Sequence, residues 1–389
     1  MDTAYLQELI KEARQRDGGL LLNLEDKPAA VVLTVEKYNQ LLHPDPENAP
    51  AMPVIVPAGR QAAPAAGESV LVTGGAGYIG AHLVHELIKA GYRVVVLDNL
   101  SSGRRENLHP EAVFVEGDLA EENLLSDLFA VHNITAVFHM AASLEVAESV
   151  REPEKYLWNN TLNTARLLRA MAAAGVRKLV FSSTAAVYGE AVQNPINETA
   201  PLHPANPYGA SKLLAERLIK YYCEYAGCRA VVFRYFNACG FAADYRIRPT
   251  HESHLMYNVM QVVKGNRPHL EVFGNDYDTF DGTCVRDYVH VLDIVLPHIL
   301  ALRRLEEDGQ PFSVYNIGTS RGSSVAEVAN AASELLNKIV PMEVGPRRPG
   351  DPPVLVADNG KLLHELGYNL KYSSLDNMIK TSWAGMKDA

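Results

Sequence analysis

Beyond residue 68 the chain alternates short apolar runs with longer amphipathic stretches. The runs SVLVT, RVVVLD, AVFVEGD, AVFHMAA, KLVFSS and AVVFRYF are valine-rich and nearly continuous in their hydrophobicity. Such runs mark strands covered on both faces, since a half-exposed strand would alternate apolar with polar. Helical stretches of ten or more residues, such as AHLVHELIKAG, lie between several of them. This pattern predicts an α/β fold built on a doubly wound parallel sheet.

The first forty residues carry a different pattern. Leu6, Leu9, Ile10 and Ala13 share one helical face, and Gly18-Gly19 stops that helix. LLLNLEDKPAAVVLT predicts two short strands around a turn at Glu25–Pro28, and VEKYNQLL a closing helix. Residues 43–67, rich in Pro and Ala and without periodicity, predict a semi-extended linker. So short an α+β segment buries little core alone, so it must dock or pair with a second copy. Residues 26–33 and 36–42 resemble the hairpin and final helix of Phd/YefM-type antitoxins, although that family's usual first strand is missing. The family dimerises and binds DNA. Only five Lys/Arg in the first 42 residues favour a dimerising or docking remnant over a DNA reader, and an unrelated extension is the alternative.

At 389 residues, 47% hydrophobic and 21% charged, the chain can hold two ordinary domains and a small extra module. A net charge of −10 argues against binding nucleic acid or an anionic membrane surface. No apolar run approaches the roughly 18 residues of a membrane-spanning helix, and no secretion signal opens the chain. Cys223, Cys228, Cys239 and Cys284 form no metal-binding spacing, nor do the histidines, so no metal is expected. Reduced packing cysteines suit the cytoplasm, which is the expected compartment.

The first strand of the alternating region runs directly into Gly74-Gly75-Ala76-Gly77-Tyr78-Ile79-Gly80 and then a helix. A strand, a glycine turn and a helix N-terminus make an anion site, where free N–H groups and the helix dipole favour a pyrophosphate. The spacing Gly-x-x-Gly-x-x-Gly at 74, 77 and 80 is weak alone. Asp98, ending the second strand 18 residues beyond Gly80, strengthens it. An acidic side chain there accepts hydrogen bonds from an adenosine ribose and repels a 2′-phosphate, favouring NAD over NADP; the plainer role is a strand-end turn. Asp118-Leu119 closes the third strand, where an adenine would lie, with an N-cap as the alternative role for Asp118.

Pro207-Tyr208-Gly209-Ala210-Ser211-Lys212 opens a helix, so Tyr208 and Lys212 share a face. A free phenol, with a pKa of about 10, is a poor base near neutrality. A neighbouring ammonium favours the phenolate and lowers that value. Thr184, ending the run Phe181-Ser182-Ser183-Thr184, is the candidate hydroxyl between Tyr208 and a reacting oxygen, against a plain turn or cap.

With these residues, the segments VLVTGGAGYIG, VVVLDNLSSG, VFHMAAS, FSSTAAVYGE, NPYGASK, RYFNACG, FGNDYDTFDGTCVRDYVHV, YNIGT and GPRRPGDPP resemble the extended short-chain dehydrogenase/reductase superfamily, and within it the UDP-glucose 4-epimerase family. The resemblance spans about residues 68–385. It implies a UDP-sugar substrate, NAD as cofactor, a homodimer, a Rossmann-type NAD-binding domain over 68–245, and a smaller, mainly substrate-binding α/β domain over 246–389 that returns some strands to the first. It implies Tyr208 as base and acid, Lys212 as its partner and Thr184 beside the substrate. Gly74, Gly77, Tyr78, Ile79, Gly80, Asp98, Asn99, Asp118, Leu119, Ala141, Ser143, Asn160, Ser182, Tyr235 and Phe236 would line the cofactor. Asn237, His254, Leu255, Phe273, Arg286, Tyr288, Arg348 and Asp351 would hold the UDP-sugar, with a salt bridge to Asp287 or another acid as the plainer role of Arg286. Where some members carry a lysine in AALKAVGESV, this chain reads Ala142-Ser143-Leu144-Glu145-Val146-Ala147, so Ser143 or backbone must replace that contact. Leu355 stands where the family places either a bulky tyrosine or a small residue that admits N-acetyl sugars.

The implied reaction is transient oxidation at C4, rotation of the 4-keto sugar and return of hydride. Related dehydratases need an acid/base pair after the Ser/Thr run, and Ala185-Ala186 cannot transfer protons. Other UDP-sugars (UDP-GlcNAc, pentoses, hexuronates) stay open, as does a regulatory or scaffolding protein built on the N-terminal segment.

Overall fold

The computed structural model describes residues 69–386, except 191–192, 243, 246, 248–253, 307–309 and 349–350, together with a hairpin at 19–24 and 27–33. In the hairpin, β1 (Gly19–Leu24) pairs antiparallel with β2 (Lys27–Leu33), with an irregularity between Leu22 and Leu24. Lys27 and Pro28, expected in the turn, belong to the second strand. The two N-terminal helices and the linker expected from the sequence lie outside the described residues.

Seven strands form one parallel sheet: β3 (Ser69–Thr73), β4 (Arg93–Asp98), β5 (Val113–Glu116), β6 (Ile134–His139), β7 (Lys178–Thr184), β8 (Arg229–Tyr235) and β13 (Phe312–Ile317). Their order is β13-β8-β7-β6-β3-β4-β5. The chain winds outward from β3 through β4 to β5, then restarts at β6 on the other side, so the switch point lies between β3 and β6. Val70, Leu71 and Val72 are fully buried, as continuous apolar runs require. Alternate residues serve opposite faces: Val70, Val72, Val94 and Val96 join one core cluster, while Leu71, Val95, Leu97 and Val137 join the other. Each such side chain contributes about 1.5–3 kcal/mol of burial. Helix α1 (Tyr78–Lys89) packs on the first face; α2 (Glu122–His132), α3 (Asn163–Ala173) and α4 (Pro207–Tyr225) pack on the second.

The seventh strand, β13, comes from far along the chain, after the helix α6 (Val291–Arg304), and pairs with β8 over six residues. The intervening and following segments build a smaller layer. It holds β9 (Asn237–Cys239) paired with β12 (Tyr288–His290), β10 (Leu270–Phe273) with β15 (Met342–Gly345), and β11 (Val285–Arg286) between β14 (Ser323–Ser324) and β16 (Val354–Leu355). The helices α5 (Leu255–Lys264), α7 (Val325–Leu336) and α8 (Leu375–Met386) close a third core cluster around these strands. Among the described residues no helix is long and apolar enough to cross a membrane.

Candidate active site

The glycine turn sits at the switch point. Gly74 has φ of +71°, and a Cβ there would lie 2.6 Å from the Ala141 nitrogen, in the segment leaving β6. A Cβ on Gly80 would lie 2.1 Å from the Gly74 carbonyl oxygen. Only hydrogen fits at either place, which is why glycine recurs there. Helix α1 begins at Gly77 with no side-chain cap, leaving its first N–H groups for a ligand. Ile79 lies in the first turn of that helix, whereas the Tyr78 phenol turns away and donates to the Gly240 carbonyl.

Asp98 has both roles considered for it within reach. Its two carboxylate oxygens accept from Ala76 N at 2.9 Å and Leu100 N at 2.8 Å, tying the glycine turn to the end of β4. Each oxygen keeps a further lone pair for a ribose hydroxyl. Asp118 is not a helix cap, because α2 starts after Glu121. It accepts from Asn99 Nδ2 at 2.6 Å and Ala120 N at 2.8 Å, joining the ends of β4 and β5, while Leu119 packs into the core.

Asn206 caps α4 by accepting from Gly209 N at 2.9 Å, and Pro207 takes the first helical position. That start fixes Tyr208, whose phenol is hydrogen-bonded with Thr184 at the end of β7. Thr184 also accepts from Ala186 N at 3.1 Å, so it caps a turn and meets Tyr208 at once. One turn along, Lys212 is buried with its ammonium 4.6 Å from the centre of the Phe181 ring. Burial pushes the Lys212 amine down to about 7, and Glu216 partly opposes the shift. Burial raises the Tyr208 phenol and Glu145 adds to that, against the lowering hydrogen bond from Thr184. The sequence led us to expect a lowered phenol; in the protein alone, desolvation outweighs its neighbours.

The segment after β6 is held from behind. Asn160 accepts from Ser143 N at 2.8 Å and donates to Ser143 O at 2.9 Å and Ser211 Oγ at 3.0 Å. Asn159 donates to Ser143 Oγ at 2.9 Å. The Asn160 amide is thus committed to protein partners, and it positions Ser143 and α4. Tyr235 is buried, its phenol hydrogen-bonded with His298 at 2.5 Å and with Ser182. Phe236 packs with Val187, Tyr188 and Leu213.

On the other side, Arg286 in β11 pairs with Asp351 at 2.5 Å, while Leu355 lies beside it in β16. Arg286 therefore pairs with another acid, and Asp287 does something else. Fully buried, it accepts from Thr319 N at 2.7 Å, Ser320 N at 3.2 Å and Ala357 N at 3.1 Å. The Arg348 guanidinium lies 3.8 Å over the Phe273 ring. Tyr288 is buried in β12, and Asn237 is exposed in β9 beside it. His254 stands at the N-terminal boundary of α5, just before Leu255, without a side-chain capping bond, and lines a cavity with Tyr78, Ala238 and Tyr257. His139 and His82 are packing residues: His139 is hydrogen-bonded with Thr73 and Thr164, and His82 with Tyr78 O. Among the described residues no group of three His, Cys, Asp or Glu is arranged to hold a metal.

Glu145, not expected at the site from the sequence, acts electrostatically on both Tyr208 and His254. It stands in the very segment flagged for its missing lysine, and a charge in a stretch following a sheet strand was the available signal.

Residues 70–318 match the model of the NAD dependent epimerase/dehydratase family. The chain belongs to that family. Within it, the chain is 44% identical over 322 residues to a UDP-glucose 4-epimerase of Halalkalibacterium halodurans, covering 82% of this chain and 96% of the relative. A Brucella ovis UDP-glucose 4-epimerase in complex with NAD is 40% identical, with a TM-score of 0.78 over 81% of this chain and 97% of that one. A Bifidobacterium longum UDP-glucose 4-epimerase in complex with NAD+ and UDP is 35% identical, with a TM-score of 0.76 over 82% and 98%. The family match and these relatives all fall on the body of the chain that carries the glycine turn, Tyr208 and Arg286.

Proposed function

We propose that this chain is an NAD-dependent UDP-sugar 4-epimerase, with UDP-glucose and UDP-galactose as its default pair. The observation that carries the reading is Tyr208, hydrogen-bonded with Thr184 and one turn from Lys212. The turn at Gly74, Gly77 and Gly80 suits a pyrophosphate, because it is closed to side chains from within and uncapped without. Asp98 would take the adenosine ribose, and Lys212 the nicotinamide ribose. NAD, when bound, supplies two-electron redox chemistry at the sugar C4. Tyr208 takes the proton of the 4-hydroxyl and later returns it, with Thr184 holding the phenol and the sugar oxygen in line. Arg286, Arg348 and Asp351 would hold the UDP. Gripping the nucleotide far from C4 leaves the hexose free to turn over, which inversion demands. Ala185 and Ala186 follow Thr184 in a tight turn and offer no group for eliminating water, which disfavours dehydration. Incubation with UDP-glucose, UDP-GlcNAc, a UDP-pentose and UDP-glucuronate, followed by NMR, should show C4 inversion of UDP-glucose without net reduction of added NAD. Steady accumulation of NADH would make the protein a dehydrogenase instead.

The same reading divides the chain into a cofactor-binding domain (68–245) and a mainly substrate-binding one (246–389), preceded by the segment 1–42 and linker 43–67. The cytoplasm fits the four free cysteines. A homodimer is supported by two pairs of exposed apolar residues one helical turn apart, Val146 with Val150 and Tyr221 with Tyr225. The helix Val146–Arg151 that bears the first pair packs against α4, which bears the second. Sedimentation should give twice the 42.7 kDa chain mass, and Val150→Asp should shift it toward monomer; a wild-type monomer at micromolar concentration would refute the dimer.

A further inference from the structure

Tyr277 lies in the loop after β10, beyond the residues assigned to any site above. It is only 5% exposed, because Arg347 covers it with a guanidinium 4.2 Å from the ring centre. Arg347 is itself pinned by Asp276, through Nε to Oδ1 at 2.7 Å. The tyrosine backbone is equally fixed, since its N–H donates to Gly282 O at 2.9 Å and its carbonyl accepts from Thr279 N at 2.8 Å. Within this frame the Tyr277 hydroxyl is buried and has no hydrogen-bond partner among the described residues. An unpaired buried hydroxyl is costly, and native structures rarely leave one without a ligand or water to meet it.

Its surroundings indicate what that partner is. The charged groups acting on the phenol are Asp351, Arg286 and Arg347, with the Cys284 thiol. Arg286 and Asp351 are already engaged with each other at 2.5 Å. Arg348 stacks on Phe273, so the consecutive arginines 347 and 348 each lie over an aromatic ring. Burial and Asp351 raise the phenol above its ordinary value, which keeps it an O–H donor at neutral pH. A fixed neutral donor among arginines calls for an acceptor oxygen of an anionic, polyhydroxylated ligand.

We propose that the Tyr277 hydroxyl is a binding group of the nucleotide site and donates a hydrogen bond to the nucleoside diphosphate of the substrate. The proposal rests on the reading of Arg286, Arg348 and Asp351 as the groups that hold UDP. It places Tyr277 on the nucleotide and away from the reacting sugar, so its loss weakens binding without slowing chemistry.

The test is Tyr277→Phe, with UDP alone as the probe in isothermal titration calorimetry. The variant should bind UDP about tenfold more weakly, the size of effect expected for one hydrogen bond in a buried site. KM for UDP-glucose should rise by a similar factor, with kcat within twofold of wild type. The thermal midpoint should stay the same or rise, because the substitution removes a hydroxyl that has no partner among the described residues. Unchanged UDP affinity overturns the proposal, and so does a lowered thermal midpoint, which would reveal an internal partner. If the wild type binds no UDP, the reading of the nucleotide site fails and Tyr277 with it. If wild type and variant bind UDP equally, only the role of Tyr277 fails.

Discussion

Tyr208→Phe is expected to reduce epimerisation by about a thousandfold, within the range general acid–base groups usually contribute. The substitution removes one oxygen and little else. The ring keeps its edge-on contact with Tyr156, whose centroid lies 6.3 Å away and whose own hydroxyl is anchored on Glu145 O and Glu148. Thr184 keeps its bond from Ala186 N, so the strand end stays in place. Arg286 and Asp351, the groups proposed to hold UDP, lie in a different layer and should be untouched. The fall should therefore appear in kcat, with KM and UDP affinity nearly constant. A Phe variant that epimerises UDP-glucose at close to the normal rate would remove Tyr208 from the chemistry.

The large sheet was legible because its strands are buried on both faces, and short valine runs bounded by turn residues rarely fold as anything but such strands. Six of its seven strands coincide with the apolar runs to within three residues at either end. The seventh, β13, was readable only as the motif YNIGT, since Phe312–Ile317 mixes Ser313 and Asn316 with apolar residues. Asn316 is buried there because it accepts from Tyr188 and donates to the Ile196 carbonyl, a long-range network that no local pattern announces. The site divided in the same way. Residues at fixed local offsets, such as Gly74 with Gly80 and Tyr208 with Lys212, were visible from spacing. Residues that act through tertiary contacts were not: the saturated amide of Asn160, the buried carboxylate of Asp287 and the charge of Glu145 depend on which segments the fold brings together. The same holds for the Tyr208 phenol, whose upward shift comes from burial, a property of the whole fold.

Lys212→Met should show that the site is held at a cost to stability. Lys212 is 2% exposed, and burial lowers its amine from 10.5 to about 7. The unfolded chain therefore binds more protons than the folded one between about pH 7 and 10.5, and wild-type stability rises with pH across that window. Above 10.5 both states hold a neutral amine and the penalty vanishes; below 7 it is complete. A shift of this size corresponds to at most about 5 kcal/mol. Methionine fills a similar volume over Phe181 without the charge, so the variant should be more stable than wild type by several kcal/mol near pH 6. The two should converge toward pH 10, as followed by thermal or urea unfolding at several pH values. Activity should move in the opposite direction. Lys212, one helical turn from Tyr208, is the group that would hold the nicotinamide ribose, and without it turnover should fall at least a hundredfold. A methionine variant that is less stable than wild type at pH 6 would mean that the buried ammonium has stronger internal partners than Glu216. One that keeps normal turnover would remove Lys212 from the working site.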